Sequence, residues 1–199
     1  MLHLETVEYS TLELLRKLQS LPILRDTRLV GGTALALQLG HRKSVDLDFF
    51  GTITCEAEEL ISAIKTVASL IVLKESPHIH IYLVDGIKVD IVNYRYQWLD
   101  KPVVDQGIRM AGIKDIAAMK VTAVIGRGTK KDFIDISFLL HHLSLNEILD
   151  FYSTNDDGSV FMAMKSLVYF DDAEKEPMPD MLINKSWEQV KEYILSKIS

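Results

Sequence analysis

The chain has 199 residues, 48% apolar and 25% charged, with a single cysteine and a net charge of −6. That length holds one good core or a domain with a helical appendix, and the composition excludes a disordered chain and an internal disulfide. No apolar run is long enough to span a membrane, no signal-peptide pattern opens the chain, and an acidic balance argues against wrapping a long duplex, so a cytoplasmic protein without membrane contact is expected.

Leu12, Leu15 and Leu18 predict a helix over residues 7–19. Leu29-Val30 ends a short strand, Gly31-Gly32 makes a turn, and a helix follows from Thr33 to about Gly40. Residues 45–50 read as a strand with Val45, Leu47 and Phe49 toward the core and Asp46 and Asp48 on the other face. The two carboxylate-bearing Cα atoms are expected ~6.6 Å apart, two strand rises. Thr54 suits the cap of a helix whose apolar positions 57, 60, 61, 64, 67, 68 and 71 keep a helical period. Segments 78–84 and 87–93 read as a hairpin around Asp85-Gly86. A three-residue loop, pairing Tyr82 with Asp90 and Ile81 with Ile91, keeps Ile79, Ile81, Leu83, Val89 and Ile91 on one apolar face and is the expected register. Another strand is expected near 103–110, and helices over 114–126, 130–142, 145–153, 160–170 and 186–198. Strands followed by helices predict an α+β fold: a mixed β-sheet core over 1–112 and a C-terminal helical bundle over 113–199.

The chemistry concentrates in a few residues. Asp46, Asp48 and Asp90 are a candidate metal triad, since Mg²⁺ takes oxygen ligands from a few carboxylates and substrate phosphates, and paired ions serve phosphoryl chemistry. The competing reading of Asp-Leu-Asp is the wet face of an edge strand. Gly31 and Gly32 let the backbone approach a phosphate at a helix N-terminus. Thr33 suits a helix cap, a phosphate contact, or both. Arg42 suits a phosphate or carboxylate, with a solvated loop as the equal alternative, and His41 and Ser44 lie beside it. Lys120, on an apolar helical stripe, either snorkels to water or reaches a triphosphate. Asp132, three residues after Thr129, suits a first helical turn, and Asp135 lies one turn on. The histidines lack metal-site spacing, and the scattered Tyr and Phe residues read as core.

Gly31-Gly-Thr-Ala-Leu-Ala-Leu-Gln-Leu-Gly-His-Arg-Lys-Ser-Val-Asp-Leu-Asp-Phe-Phe50 closely resembles the first motif of the AbiEii/AbiGii toxin family, within the DNA polymerase β-like nucleotidyltransferase superfamily. Lys88-Val-Asp-Ile-Val-Asn93, Asp115-Ile-Ala-Ala-Met-Lys-Val-Thr-Ala123 and Lys131-Asp-Phe-Ile-Asp-Ile136 resemble its second, third and fourth motifs. The resemblance implies a nucleotidyltransferase core and a toxin of a toxin–antitoxin or phage-defence system. Such an enzyme transfers a nucleotide from an NTP, with two Mg²⁺ ions, to a hydroxyl acceptor such as tRNA, and has a cognate antitoxin as partner. Carried over, Asp46, Asp48 and Asp90 bind metal, and Asp90 also serves as base. Gly31, Gly32, Thr33 and Ser44 hold phosphates, Lys120 acts on the triphosphate, and Asp132 acts in catalysis. Rival expectations are the same chemistry on a small antibiotic-like molecule, and a non-catalytic nucleotide-binding module, whose mark would be a lost metal carboxylate.

Overall fold

The computed structural model describes residues 1–155 and 158–198. The first part contains α1 (Tyr9–Ser20), β1 (Thr27–Val30), α2 (Gly31–Leu39), β2 (Leu47–Gly51), α3 (Ala57–Lys65), β3 (Leu70–Glu75), β4 (Ile79–Val84), β5 (Ile87–Asn93), β6 (Val103–Asp105) and β7 (Ile108–Met110). The remainder is helical: α4 (Ile113–Gly126), α5 (Lys130–Leu139), α6 (Leu145–Asn155), α7 (Val160–Leu167), α8 (Asp171–Glu174) and α9 (Trp187–Ile198). Among the described residues the strands form one seven-stranded sheet, ordered β3-β4-β5-β2-β1-β7-β6. β2 runs parallel to β5, and β1 to β7; the other neighbours are antiparallel. The fold is therefore α+β with a mixed sheet, as the order of patterns predicts. None of the described helices is long and apolar enough to cross a membrane.

The register sorts the central strands into two faces. Leu29, Phe49, Ile91 and His80 form a row across β1, β2, β5 and β4, flanked by Leu47, Val89 and Tyr82, and all are buried. On the opposite face Val30, Asp48, Asp90 and Ile81 form one row, and Arg28, Phe50, Val92 and Ile79 the next. α4 lies across a cleft from this second face and packs against α2, α5, α6 and α7, so sheet and helices share one core.

Several local expectations are corrected. α2 starts at Gly31, with extended Val30 as its cap, so the Gly-Gly pair is the helix's first turn and Thr33 lies inside it. Val45 is 60% exposed, and β2 begins only at Leu47, leaving Asp46 in the segment before the strand. The cause is pairing: β1 ends at Val30 opposite Asp48, where the chain turns into α2, so residues 45–46 have no strand to face on that side. The helical period around 57–71 outruns the helix: α3 ends at Lys65, its cap is Glu56 instead of Thr54, and Leu70-Ile-Val-Leu73 enters the edge strand β3, where branched residues suit the pleat.

The β4–β5 hairpin has a two-residue turn, which overturns the three-residue register: Ile81 faces Asp90, Tyr82 faces Val89 and Val84 faces Ile87. Asp85 and Gly86 have φ of 49° and 81°, the paired positive angles of a type I′ turn that matches strand twist. Turn chemistry thus outweighs apolar alternation. His80, Tyr82 and Val84 take the buried face, while Ile79 joins the cleft. Finally, the strand expected near 103–110 is a hairpin of two short strands, β6 and β7.

Candidate active site

Asp48 and Asp90 are direct neighbours on parallel strands, in register, with Val30 beside Asp48. Adjacent strands are ~4.8 Å apart and in-register residues point the same way, so both carboxylates stand together on the floor of the cleft. The cleft measures about 660 Å³. Burial, reinforced by the Asp90 charge, pushes the Asp48 carboxyl up to about 6. Asp90 Oδ2 accepts from Lys88 Nζ at 2.7 Å, but its Oδ1 is buried and has no hydrogen-bond partner. An orphaned carboxylate oxygen beside a second, destabilised carboxylate is the electrostatic profile of a cation site.

Gly31 makes room for this pair. Its φ is +68°, and a Cβ there would lie 2.3 Å from Asp48 Oδ2. Asp46 is placed differently. It lies off the strand, and its backbone carbonyl accepts from the Thr33 hydroxyl, which also meets Ser44 Oγ at 2.8 Å. Among the described residues no three His, Cys, Asp or Glu side chains lie close enough to hold one metal ion. The residues present nevertheless fit Mg²⁺, which is commonly held by one or two carboxylates completed by substrate phosphates.

Across the cleft, α4 presents Lys120, 4% exposed yet part of the cleft wall. Its Nζ meets Asp135 Oδ2 at 2.6 Å and Asp132 Oδ1 at 3.1 Å. Neither alternative posed for Lys120 from sequence describes this placement alone: it is pinned between two buried acids at the edge of the cavity. Asp132 also accepts from Arg127 Nε and Nη2 at 2.8 and 3.0 Å and from Thr129 Oγ1 at 2.6 Å. Burial opposes its ionisation, but the Arg127 hydrogen bonds and the Lys120 charge outweigh that and hold its carboxyl down at about 2.

Asp135, fully buried and given no role by the sequence pattern, is the hub. It receives Arg42 bidentately, Nε at 2.7 Å and Nη2 at 2.8 Å, and His41 Nε2 at 2.8 Å. Lys120 and Arg42 together overcome its burial and keep the carboxyl well below the usual carboxylate range. Burial pushes the His41 imidazole down. Arg42 is 3% exposed and does not line the cleft; its Nη1 donates to the Lys43 carbonyl. The Gly32 position explains why that site lacks a side chain, since a Cβ there would sit 2.4 Å from Arg42 Nη2. The signal for the hub is two acids three residues apart among the apolar Phe133, Ile134, Ile136 and Phe138 of one helix.

The 41–43 loop is held from a distance. The Leu182 and Ile183 amides donate to the His41 carbonyl, and the Lys43 amide donates to Asp180, so the segment before α9 braces the loop that carries Arg42. The structure thus joins Gly31, Asp48, Asp90 and Lys120 at one cleft. Gly32, Thr33, Arg42, Ser44, Asp46 and Asp132 surround it without lining it. Arg127 and the Tyr94–Tyr96 segment also line the cleft, although the Tyr residues read as core in the sequence.

The sequence matches the family described as "Nucleotidyl transferase AbiEii toxin, Type IV TA system" over residues 14–195. An uncharacterized protein of Aquifex aeolicus (strain VF5) is 40% identical over 196 residues, covering 94% of this chain and 93% of that one. Among solved structures, JHP933 of Helicobacter pylori superposes with a TM-score of 0.62 at 21% identity, over 96% of this chain and 91% of the other. The antibiotic-resistance factor ANT(2'')-Ia superposes with a TM-score of 0.57 at 15% identity, over 72% of this chain and 90% of the other. At such identities the structural likenesses speak for the fold alone.

Proposed function

The chain belongs to the AbiEii nucleotidyl transferase toxin family of type IV toxin–antitoxin systems, and on that premise we propose that it transfers a nucleotidyl group from an NTP to a hydroxyl of RNA, such as tRNA, with release of pyrophosphate, in the cytoplasm, with an antitoxin as its protein partner. One observation carries the reading: Asp48 and Asp90 stand in register on the cleft floor, one carboxyl pushed up to about 6 and the other with an orphaned oxygen, opposite Lys120.

Asp48 and Asp90 would hold Mg²⁺, with Asp46 as a further ligand once substrate is present. When bound, the metal supplies Lewis-acid stabilisation of the phosphates and eases ionisation of the acceptor hydroxyl. The protein's own groups do the rest. The amides of Gly31 and Gly32 open α2 toward the triphosphate, whose charge suits a helix N-terminus. Thr33 and Ser44 fasten that turn to the segment carrying Asp46 and offer hydroxyls to the same phosphates. Lys120 meets the triphosphate from α4, and Asp90 accepts the acceptor's proton. Arg42, Asp132 and Asp135 act as positioning residues: together they hold Lys120 and the 41–44 loop in fixed relation. Residues 1–112 form the catalytic core and 113–199 the helical part that completes its cleft.

The small-molecule rival is weakened by charge. Among the described residues lining the cleft the acids are Asp48 and Asp90, whereas Arg95, Lys120 and Arg127 are cationic. With both acids committed to a metal, a polycationic antibiotic finds no counter-charge there, while a polyanionic acceptor meets Arg95, which unlike Lys120 and Arg127 is not paired with Asp132 or Asp135. The test is transfer from α-³²P-labelled NTPs, one base at a time, to total tRNA with Mg²⁺, using Asp48→Ala as the blank. Label on tRNA that disappears in the variant is expected. Equal labelling by the variant would overturn the mechanism, and label on aminoglycosides instead of tRNA would overturn the acceptor.

A further inference from the structure

The cleft extends beyond the carboxylates. β5 leaves the sheet at Asn93, and Tyr94, Arg95 and Tyr96 line the far end of the cleft, with Trp98 packed against Tyr94 and the core behind them. Tyr94 lies at the centre, its ring 5.6 Å from Phe50, 5.4 Å from Tyr96 and 4.7 Å from Trp98 between centroids. The Arg28 guanidinium covers Trp98 at 4.0 Å and donates to the Asp100 carbonyl at 2.8 Å. Tyr96, the outermost ring, is 52% exposed. Beside it Arg95 Nη2 touches His78 Nε2, and both residues are exposed on the cleft wall.

This segment is anchored. Asp115, fully buried in the first turn of α4, accepts the backbone N–H groups of Leu99 and Asp100 at 2.7 and 3.1 Å. One helix therefore fixes the aromatic segment through Asp115 and the cationic end of the cleft through Lys120, five residues later. An anchored, half-exposed ring cluster with the Arg95 cation adjacent, at the open end of a cleft whose acids lie deeper, has the makeup of a single-strand binding platform: aromatic faces for bases, a cation for the backbone.

Resting on the nucleotidyl-transfer reading, we propose that residues 94–98 form the acceptor platform, where Tyr96 stacks against a base beside the reacting 3′ end of single-stranded RNA and Arg95 with His78 takes the neighbouring phosphate. Asp90 and Tyr94 belong to one continuous run of chain, four strand rises or ~13 Å apart, so the platform and the proton acceptor lie along a single line over which the strand can be laid. Stacking uses the ring face, which every base possesses, so the platform selects for a free single strand before it selects for sequence.

The test is anisotropy of a short fluorescein-labelled single-stranded RNA on the full chain, with calorimetric titration of NTP·Mg²⁺ on the same proteins. Tyr96→Ala is expected to weaken RNA binding about 10-fold or more and to raise the KM for tRNA in parallel, with NTP·Mg²⁺ affinity unchanged. Tyr96→Phe, which keeps the ring, should stay within about twofold. Arg95→Ala should weaken binding and lower its salt dependence by about one ion. If Tyr96→Ala binds RNA as tightly as wild type, the platform is wrong while transfer stands. A wild-type chain that takes NTP·Mg²⁺ but no RNA also overturns it. Failure to bind NTP·Mg²⁺ at all is a separate readout that sinks the transfer reading and the platform with it.

Discussion

Replacing Asp48 by Asn should make the metal-free protein more stable while abolishing transfer. Raising a carboxyl from 3.8 to about 6 costs its ionised form ~3 kcal/mol at neutral pH. The sign follows from linkage: a raised folded-state pKa contributes stability that is whole below 3.8 and is lost as pH rises through about 6. Asparagine carries no such charge, so the variant escapes the loss. Asp48 lines an open cleft, and solvent relaxation there reduces the gain to about 1–2 kcal/mol. At roughly 2–4 °C per kcal/mol for a chain of this size, the variant should melt ~2–8 °C higher in EDTA near pH 7.5. The gap should shrink to about a third near pH 4.5, where folded wild-type Asp48 is largely protonated, and close only below 3.8. Excess Mg²⁺ should raise the wild-type melting temperature, by ~2.7 kcal/mol of stability at a hundred times its Kd, and leave the variant unmoved. Differential scanning fluorimetry at the two pH values, with and without Mg²⁺, reads all of this. A variant that melts below wild type in EDTA near pH 7.5, or a gap independent of pH, would refute the argument that burial and Asp90 strain this carboxylate.

Gly31→Ala should lose transfer and ~1–2 kcal/mol of stability, because a Cβ would strain a φ of +68° and lie 2.3 Å from Asp48 Oδ2; retained turnover in the labelled-NTP assay would contradict that geometry. Asp135→Asn should cost ~3–5 kcal/mol in urea denaturation, since it leaves Lys120 and Arg42 short of a buried counter-charge; a midpoint close to wild type would show that the hub is not a structural support.

The elements that sequence alone located are those whose cause is local. The leucines of α1 and the helices after residue 113 show their period because one face must be apolar whatever the partner. Asp85-Gly86 announces a turn, yet its length is not legible, because both faces of β4 are partly apolar and alternation cannot say which one packs. β3 was hidden because a helical period happened to continue through Val67 and Ala68 into a branched run. At the site, the glycines, the Asp48–Asp90 pair and Lys120 were legible as residue types with a known chemical use. Their division of labour was not.

The sequence by itself determined an α+β fold, because turn residues and periodicity act over a few positions of chain, and its motifs resemble those of the nucleotidyl transferase family to which the chain belongs. Only the tertiary structure decided that Asp48 stands in register with Asp90, that Arg42 serves Asp135 instead of solvent, and that Tyr94 and Tyr96 line a cleft instead of a core. Those outcomes depend on strand order and on which helix closes over which face, and they join residues tens of positions apart that share no local signal.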